Sequence, residues 1–333
     1  MDQDSPSLSA EPLRPTPPST VEQIFLGKDG LRAGWSLLIF AALFVGFAMG
    51  VHAIGHGLHP AARNLRAEAH SMNPWLAIVE YTLFFGALLS SWIMSKIERR
   101  PLGVYGLGGR RKLPNFLTGL AWGIILLSLL VVTLAKSGLL VIESRLLFGA
   151  DILRYGAIWL VGFLGVGLLE EYLFRGYLQY TLTRGLAGFY RWAFKTAQST
   201  SWGFWTSAAA VSFYFGFGHR SNPGESPVGL VSAAAVALVF CLSLWRTGSL
   251  WWAIGFHSAW DWGQSFLYGV ADSGVLVQDR MLATHPAGKI ILSGGSTGPE
   301  GSIFVLVVLA IAVLVVLFTL PRGRYGSANF GVR

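Results

Sequence analysis

The strongest constraint on how this chain can fold is a series of apolar runs, each close to the roughly 20 residues a helix needs to cross a hydrocarbon core. They fall at about 33–54, 75–95, 115–135, 153–178, 201–219, 228–245, 250–269 and 302–320. The expected fold is therefore all-α, a polytopic transmembrane helix bundle of about eight spans. The last run, Ile303-Phe304-Val305 onward, carries no polar residue before Thr319 and reads as a lipid-facing helix.

Composition supports the same class. Charged residues are 13% of the chain and hydrophobic residues 53%, whereas a soluble domain carries about 25% charged residues. The net charge of +8 is then a question of which loops hold the cations, not of a nucleic-acid surface. The tract from Glu98-Arg99-Arg100 to Arg110-Arg111-Lys112 is the main cluster. Together with Lys28, Arg32, Arg184, Arg191, Lys195 and Arg246 it places both termini on the cytoplasmic side of what is expected to be a bacterial cytoplasmic membrane. Four regions follow: a disordered, proline-rich tail over 1–24, N-terminal transmembrane helices over 25–150, a core over 151–270, and an outer loop, last helix and short tail over 271–333. The glycine-rich stretch 294–302 reads as a flexible connection. Cys241, the single cysteine, sits in an apolar run and reads as packing. His52, His56 and His59 have metal-type spacing but no accompanying helix glutamate, and read as interfacial histidines.

Inside the fourth run lies Leu168-Leu169-Glu170-Glu171-Tyr172-Leu173-Phe174-Arg175. A charge at the bilayer centre costs about 2.5–3.5 kcal/mol or more, so such groups face protein or a water-filled cavity. Glu171 and Arg175 are one helical turn apart and can pair. Glu170 points about 100° away and is left freer. Two further pairs sit in apolar context: Phe215 with His219, and His257 with Asp261, each one turn apart. One Glu, two His and one Asp on three apolar segments suit polar chemistry in a cavity of low dielectric. Glu170 is then the general base, His219 helps hold the attacking water, and His257 faces a developing oxyanion with Asp261 fixing its tautomer. The same donors, Glu170, His219 and His257, are also zinc-ligand types, so a zinc cofactor stays open.

Glu170-Glu171-Tyr172-Leu173-Phe174-Arg175 fits EExxxR, Phe215–His219 fits FxxxH, and His257–Asp261 fits Hxxx(N/D), in that order on successive apolar helices. The ordered triple resembles the CAAX-protease and bacteriocin-processing family of intramembrane proteases (CPBP, Abi), which includes the type II CAAX prenyl endopeptidases. The likeness covers roughly 155–265. It implies a helical membrane bundle that hydrolyses a peptide bond in a membrane-associated protein or peptide. By the resemblance, Glu170 and His219 activate water and His257 with Asp261 stabilises the oxyanion. Glu171 and Arg175 complete the first motif, and Phe215 supports it. Prenyl endopeptidases commonly have Asn where this chain has Asp261. Two other readings compete: a non-proteolytic membrane scaffold or immunity factor, and a proton-coupled transporter, against which stands the lack of an internal repeat.

Overall fold

The computed structural model describes residues 19–27, 30–58, 71–72 and 75–321. Most of the expected tail and His59 lie outside these residues. Nine helices of twelve residues or more make up the described fold. They are α1 (Ala33–Leu58), α2 (Trp75–Ile97), α3 (Lys112–Lys136), α4 (Ala150–Glu170), α5 (Gln179–Phe194), α6 (Ser199–Gly218), α7 (Pro227–Thr247), α8 (Trp251–Trp262) and α9 (Val305–Thr319). A π-helical stretch, Glu171–Leu178, joins α4 to α5, and a second, Gly263–Leu267, extends α8. Each of the eight apolar runs falls on a helix, and the protein is an all-α helical bundle. Among the described residues, five helical segments are long and apolar enough to cross a membrane, which makes the chain an integral membrane protein. The N-terminal tail ends earlier than expected. Thr20–Phe25 is a short helix, held where Trp35 Nε1 donates to the Ile24 carbonyl at 3.2 Å and Phe25 packs on the Trp35 ring at 4.7 Å.

Lipid tails are as apolar as leucine, so helices in a bilayer associate through close packing and hydrogen bonds. The α3–α8 pair shows the first device. A Cβ on Gly119 would lie 2.2 Å from the Trp252 carbonyl oxygen, and one on Gly255 would lie 2.2 Å from that of Phe116. Only glycine lets these backbones approach. The α7 start shows local capping: Ser226 Oγ accepts from Gly229 N at 3.1 Å, with Pro227 in the first helical position. At the other end of the same helix, Arg246 donates to the carbonyls of Leu317 and Leu320 at 2.8 and 2.6 Å and so caps α9.

Arg184, expected among the loop cations, is instead buried inside the bundle. It donates to Glu98 Oε1 at 2.8 Å, to Ser36 Oγ at 2.9 Å and to the Leu31 carbonyl at 3.0 Å. Ser36 also bonds to Glu98. One ion pair thereby ties α1, α2 and α5 together. Phe40 of α1 stacks on Tyr177 at 3.9 Å, and Ser91 of α2 shares a 2.5 Å hydrogen bond with Tyr172. The first helices, which lie outside the motif-bearing stretch, are thus fitted directly onto the segment that carries Glu170 and Glu171. Two short strands, β1 (Leu140–Arg145) between α3 and α4 and β2 (Leu282–Pro286) between α8 and α9, pair antiparallel, with a register shift between Ile142 and Ser144.

Candidate active site

The depth of the site follows from one continuous helical path. Ala150–Phe194 runs 45 residues without a break, because the π stretch bridges α4 and α5. After the turn at Lys195, whose φ is +50°, α6 returns antiparallel along α5. Thr183 and Ser207 share a 2.6 Å hydrogen bond, and Phe174 meets Phe215 edge-on at 5.3 Å. That register brings His219, the first residue after α6, back level with Glu170. Hydropathy alone put these two groups at different depths, because it ended the fourth span at 178.

A cavity of about 240 Å³ forms there, and Glu170, Phe215, His219, His257 and Asp261 all line it. The α4–α8 crossing that seats them is tight. A Cβ on Gly167 would lie 2.6 Å from Ser258 Oγ, so α8 lies directly against α4 one turn before the carboxylates.

The two glutamates separate as their spacing predicts. Glu171 is fully buried, with Arg175 Nη1 donating to its Oε1 at 3.0 Å. The Arg175 guanidinium lies over the Phe215 ring at 4.2 Å and near that of Phe240 at 5.7 Å. Glu170 keeps 28% of its side chain exposed, towards the cavity. A π turn places an extra residue in the helix, and such turns recur at functional sites; here the stretch begins at Glu171.

His257 is held differently from the expectation. Its Nδ1 lies 3.0 Å from Glu171 Oε1. A carboxylate that already accepts from Arg175 can only accept from the ring as well, so Nδ1 carries the hydrogen and Glu171 sets the tautomer. The opposite nitrogen, Nε2, faces Asp261 Oδ2 at 3.4 Å and Glu170 Oε2 at 3.7 Å. The imidazole also stacks on Phe240 at 5.7 Å. His219 Nδ1 donates to the Phe215 carbonyl at 2.8 Å, since a carbonyl can only accept. Its Nε2 is left as an acceptor.

Residues 152–263 match the sequence model of the Rce1-like type II CAAX prenyl endopeptidases. Over this segment the chain is similar to the Rce1-like family. The segment runs from the start of α4 to the first residue of the second π stretch, about a third of the chain. No curated protein and no solved structure matches the chain.

The cavity wall extends beyond the matched segment. Ser265, Asp272, Ser273 and Glu300, which follow it, also line the cavity, as does Asn222 within it, and none was singled out from the sequence. Asp272 accepts from Ser265 Oγ at 3.2 Å, and Glu300 accepts from Ser273 Oγ at 2.8 Å and from its backbone N–H. The glycine-rich stretch 294–302, expected to be flexible, is folded into two 3-10 turns with Thr297 and Pro299 buried. Gly298 adopts φ +103°, and a Cβ there would lie 1.9 Å from the Ala271 carbonyl oxygen. These glycines serve close packing that brings Glu300 to Ser273.

Withdrawal from water, with Asp272 nearby, pushes the Glu300 carboxyl from about 4.5 up to about 8. A raised carboxylate favours the folded state while protonated, and that stability is lost as pH rises through the folded value. Stability in detergent is expected to fall between pH 4.5 and 8, and Glu300→Gln to flatten that slope. An unchanged slope would show that this carboxyl titrates normally.

Among the described residues, no three His, Cys, Asp or Glu side chains are arranged to hold a metal ion. Glu170, His219 and His257 share the cavity, and with His257 Nδ1 bonded to Glu171 its Nε2 is the atom it would offer a metal ion.

Proposed function

We propose that the protein is an intramembrane endopeptidase that hydrolyses a peptide bond with water activated by Glu170. The observation that carries this is the convergence of Glu170, His219, His257 and Asp261 on one cavity, all from the segment similar to the Rce1-like family. Water held between Glu170 and the free Nε2 of His219 loses a proton to Glu170 as its oxygen attacks the carbonyl carbon. The proton then passes to the leaving amine. His257 Nε2, between Glu170 and Asp261, shares protons with both, and Glu171 with Arg175 keeps the ring aimed. Phe215 packs against both His219 and the Arg175 guanidinium.

An ionised Asp261 would repel a developing oxyanion. Asn222 carries the one side-chain amide among the lining residues and is the donor suited to that charge. Asp261→Asn is therefore expected to keep activity within about tenfold, since it retains the shape and adds a donor. Loss of a hundredfold or more would assign Asp261 an obligatory proton-transfer role instead.

Glu170, Asp261, Asp272 and Glu300 line the cavity, and among the described residues no Lys or Arg does. A free C-terminal carboxylate finds no cation there, so an internal bond of a membrane-associated peptide suits the site better than the last bonds of a CAAX tail. The test is cleavage by the purified protein of peptide pairs with free and amidated C-termini, with and without a chelator. Faster cleavage of amidated peptides and indifference to the chelator are expected. No cleavage of any peptide overturns the endopeptidase reading, and chelator sensitivity overturns the metal-free one.

A further inference from the structure

A second cavity, about 730 Å³, opens where the first turn of α1 crosses the last turns of α5, away from the catalytic groups. Arg32, Arg184 and Arg191 line it, with Phe189, Trp192 and several glycines. Among the described residues, no Asp or Glu lines it. Arg184 is committed to Glu98 and Ser36 at the floor. Arg32 and Arg191 are exposed to the outside. Around the rim, Trp192, Phe194 and Phe189 are 77%, 59% and 51% exposed. Exposed aromatic rings at helix ends mark the headgroup level of a bilayer. Below the rim, α1 presents an exposed apolar strip through Leu38, Val45 and Met49.

From this placement we infer that the groove binds the phosphate of an anionic phospholipid, with Arg32 and Arg191 on the headgroup and the acyl chains along α1. A basic pocket between helices at headgroup depth is the arrangement that retains such lipids, and each cation near the surface contributes about a factor of five in affinity. The inference does not depend on the proteolytic reading, because none of its residues lines the catalytic cavity.

The experiment is native mass spectrometry of the delipidated full chain in detergent, offered phosphatidylglycerol or phosphatidylcholine. Wild type is expected to retain phosphatidylglycerol in preference. Arg32→Gln with Arg191→Gln is expected to weaken that retention roughly thirtyfold. A second pair guards against a folding artefact. A Cβ at Gly188, which lines the groove, meets nothing within 4 Å, so a side chain fits without displacing neighbours. Gly188→Asp puts a carboxylate in the groove and is expected to lose the lipid, while Gly188→Asn, of the same shape, keeps it. Equal retention of the two lipids, or identical behaviour of the two Gly188 variants, would overturn the inference. Complete displacement by millimolar inorganic phosphate would overturn it too, by making the groove a site for free anions.

Discussion

Glu170→Gln is expected to lower peptide cleavage by roughly 10²–10⁴-fold, the range a positioned general base contributes, while leaving the protein folded. The substitution keeps the side chain's size and its place on the cavity wall. It removes the one group that can take a proton from water while facing both His219 and His257. Glu170 is partly exposed and bonded to neither Arg175 nor a backbone group in the contacts above, so the bundle has little need of its charge. Melting in detergent should therefore move little, and product formation should nearly vanish. Cleavage within tenfold of wild type would remove Glu170 from the mechanism and leave the cavity without its base.

The second large effect concerns Arg175. Its guanidinium and the Glu171 carboxylate are both fully withdrawn from solvent. Removing one member of such a pair costs about 3–5 kcal/mol, because the other charge stays buried without compensation. Arg175→Met is expected to destabilise the protein by that order, read from denaturation midpoints in detergent. The double variant Arg175→Met with Glu171→Gln should recover most of the stability, since replacing both charges by neutral groups of similar size is close to neutral. It should not recover activity. Glu171 also accepts the hydrogen bond from His257 Nδ1–H, and a glutamine there, able to donate or accept, no longer fixes the ring in one tautomer. If the double variant melts no higher than the single one, packing around Phe215 and Phe240 holds the site and the ion pair is incidental.

These two substitutions also mark how far the sequence can be read. Glu171 and Arg175, His257 and Asp261, and Phe215 and His219 are each one turn apart, so helical spacing alone predicts that the members of each pair meet. Their order on successive apolar runs pointed to the family. Other relations were not local. Asp272 and Glu300 come together across 27 intervening positions through glycine turns whose strain is visible only in three dimensions. The tautomer of His257 depends on a carboxylate on another helix. Arg184 looked like a loop cation because its partner Glu98 is 86 residues away. The level of His219 depends on where the fourth helix stops, and polar residues after 178 end a hydropathy window without ending a helix.

That last point bears on how the molecule can move. At 1.5 Å per residue, a path of 45 residues is about 68 Å long, more than twice a hydrocarbon core of about 30 Å. It must lie steeply slanted or reach well out of the bilayer. A stiff rod bends where its internal bonding is least regular, and kinks gather at π turns. The one such joint in this rod is Glu171–Leu178. Sideways force on the α5–α6 hairpin would thus be felt first at the Glu171–Arg175 pair, giving the outlying end mechanical leverage over the aim of His257.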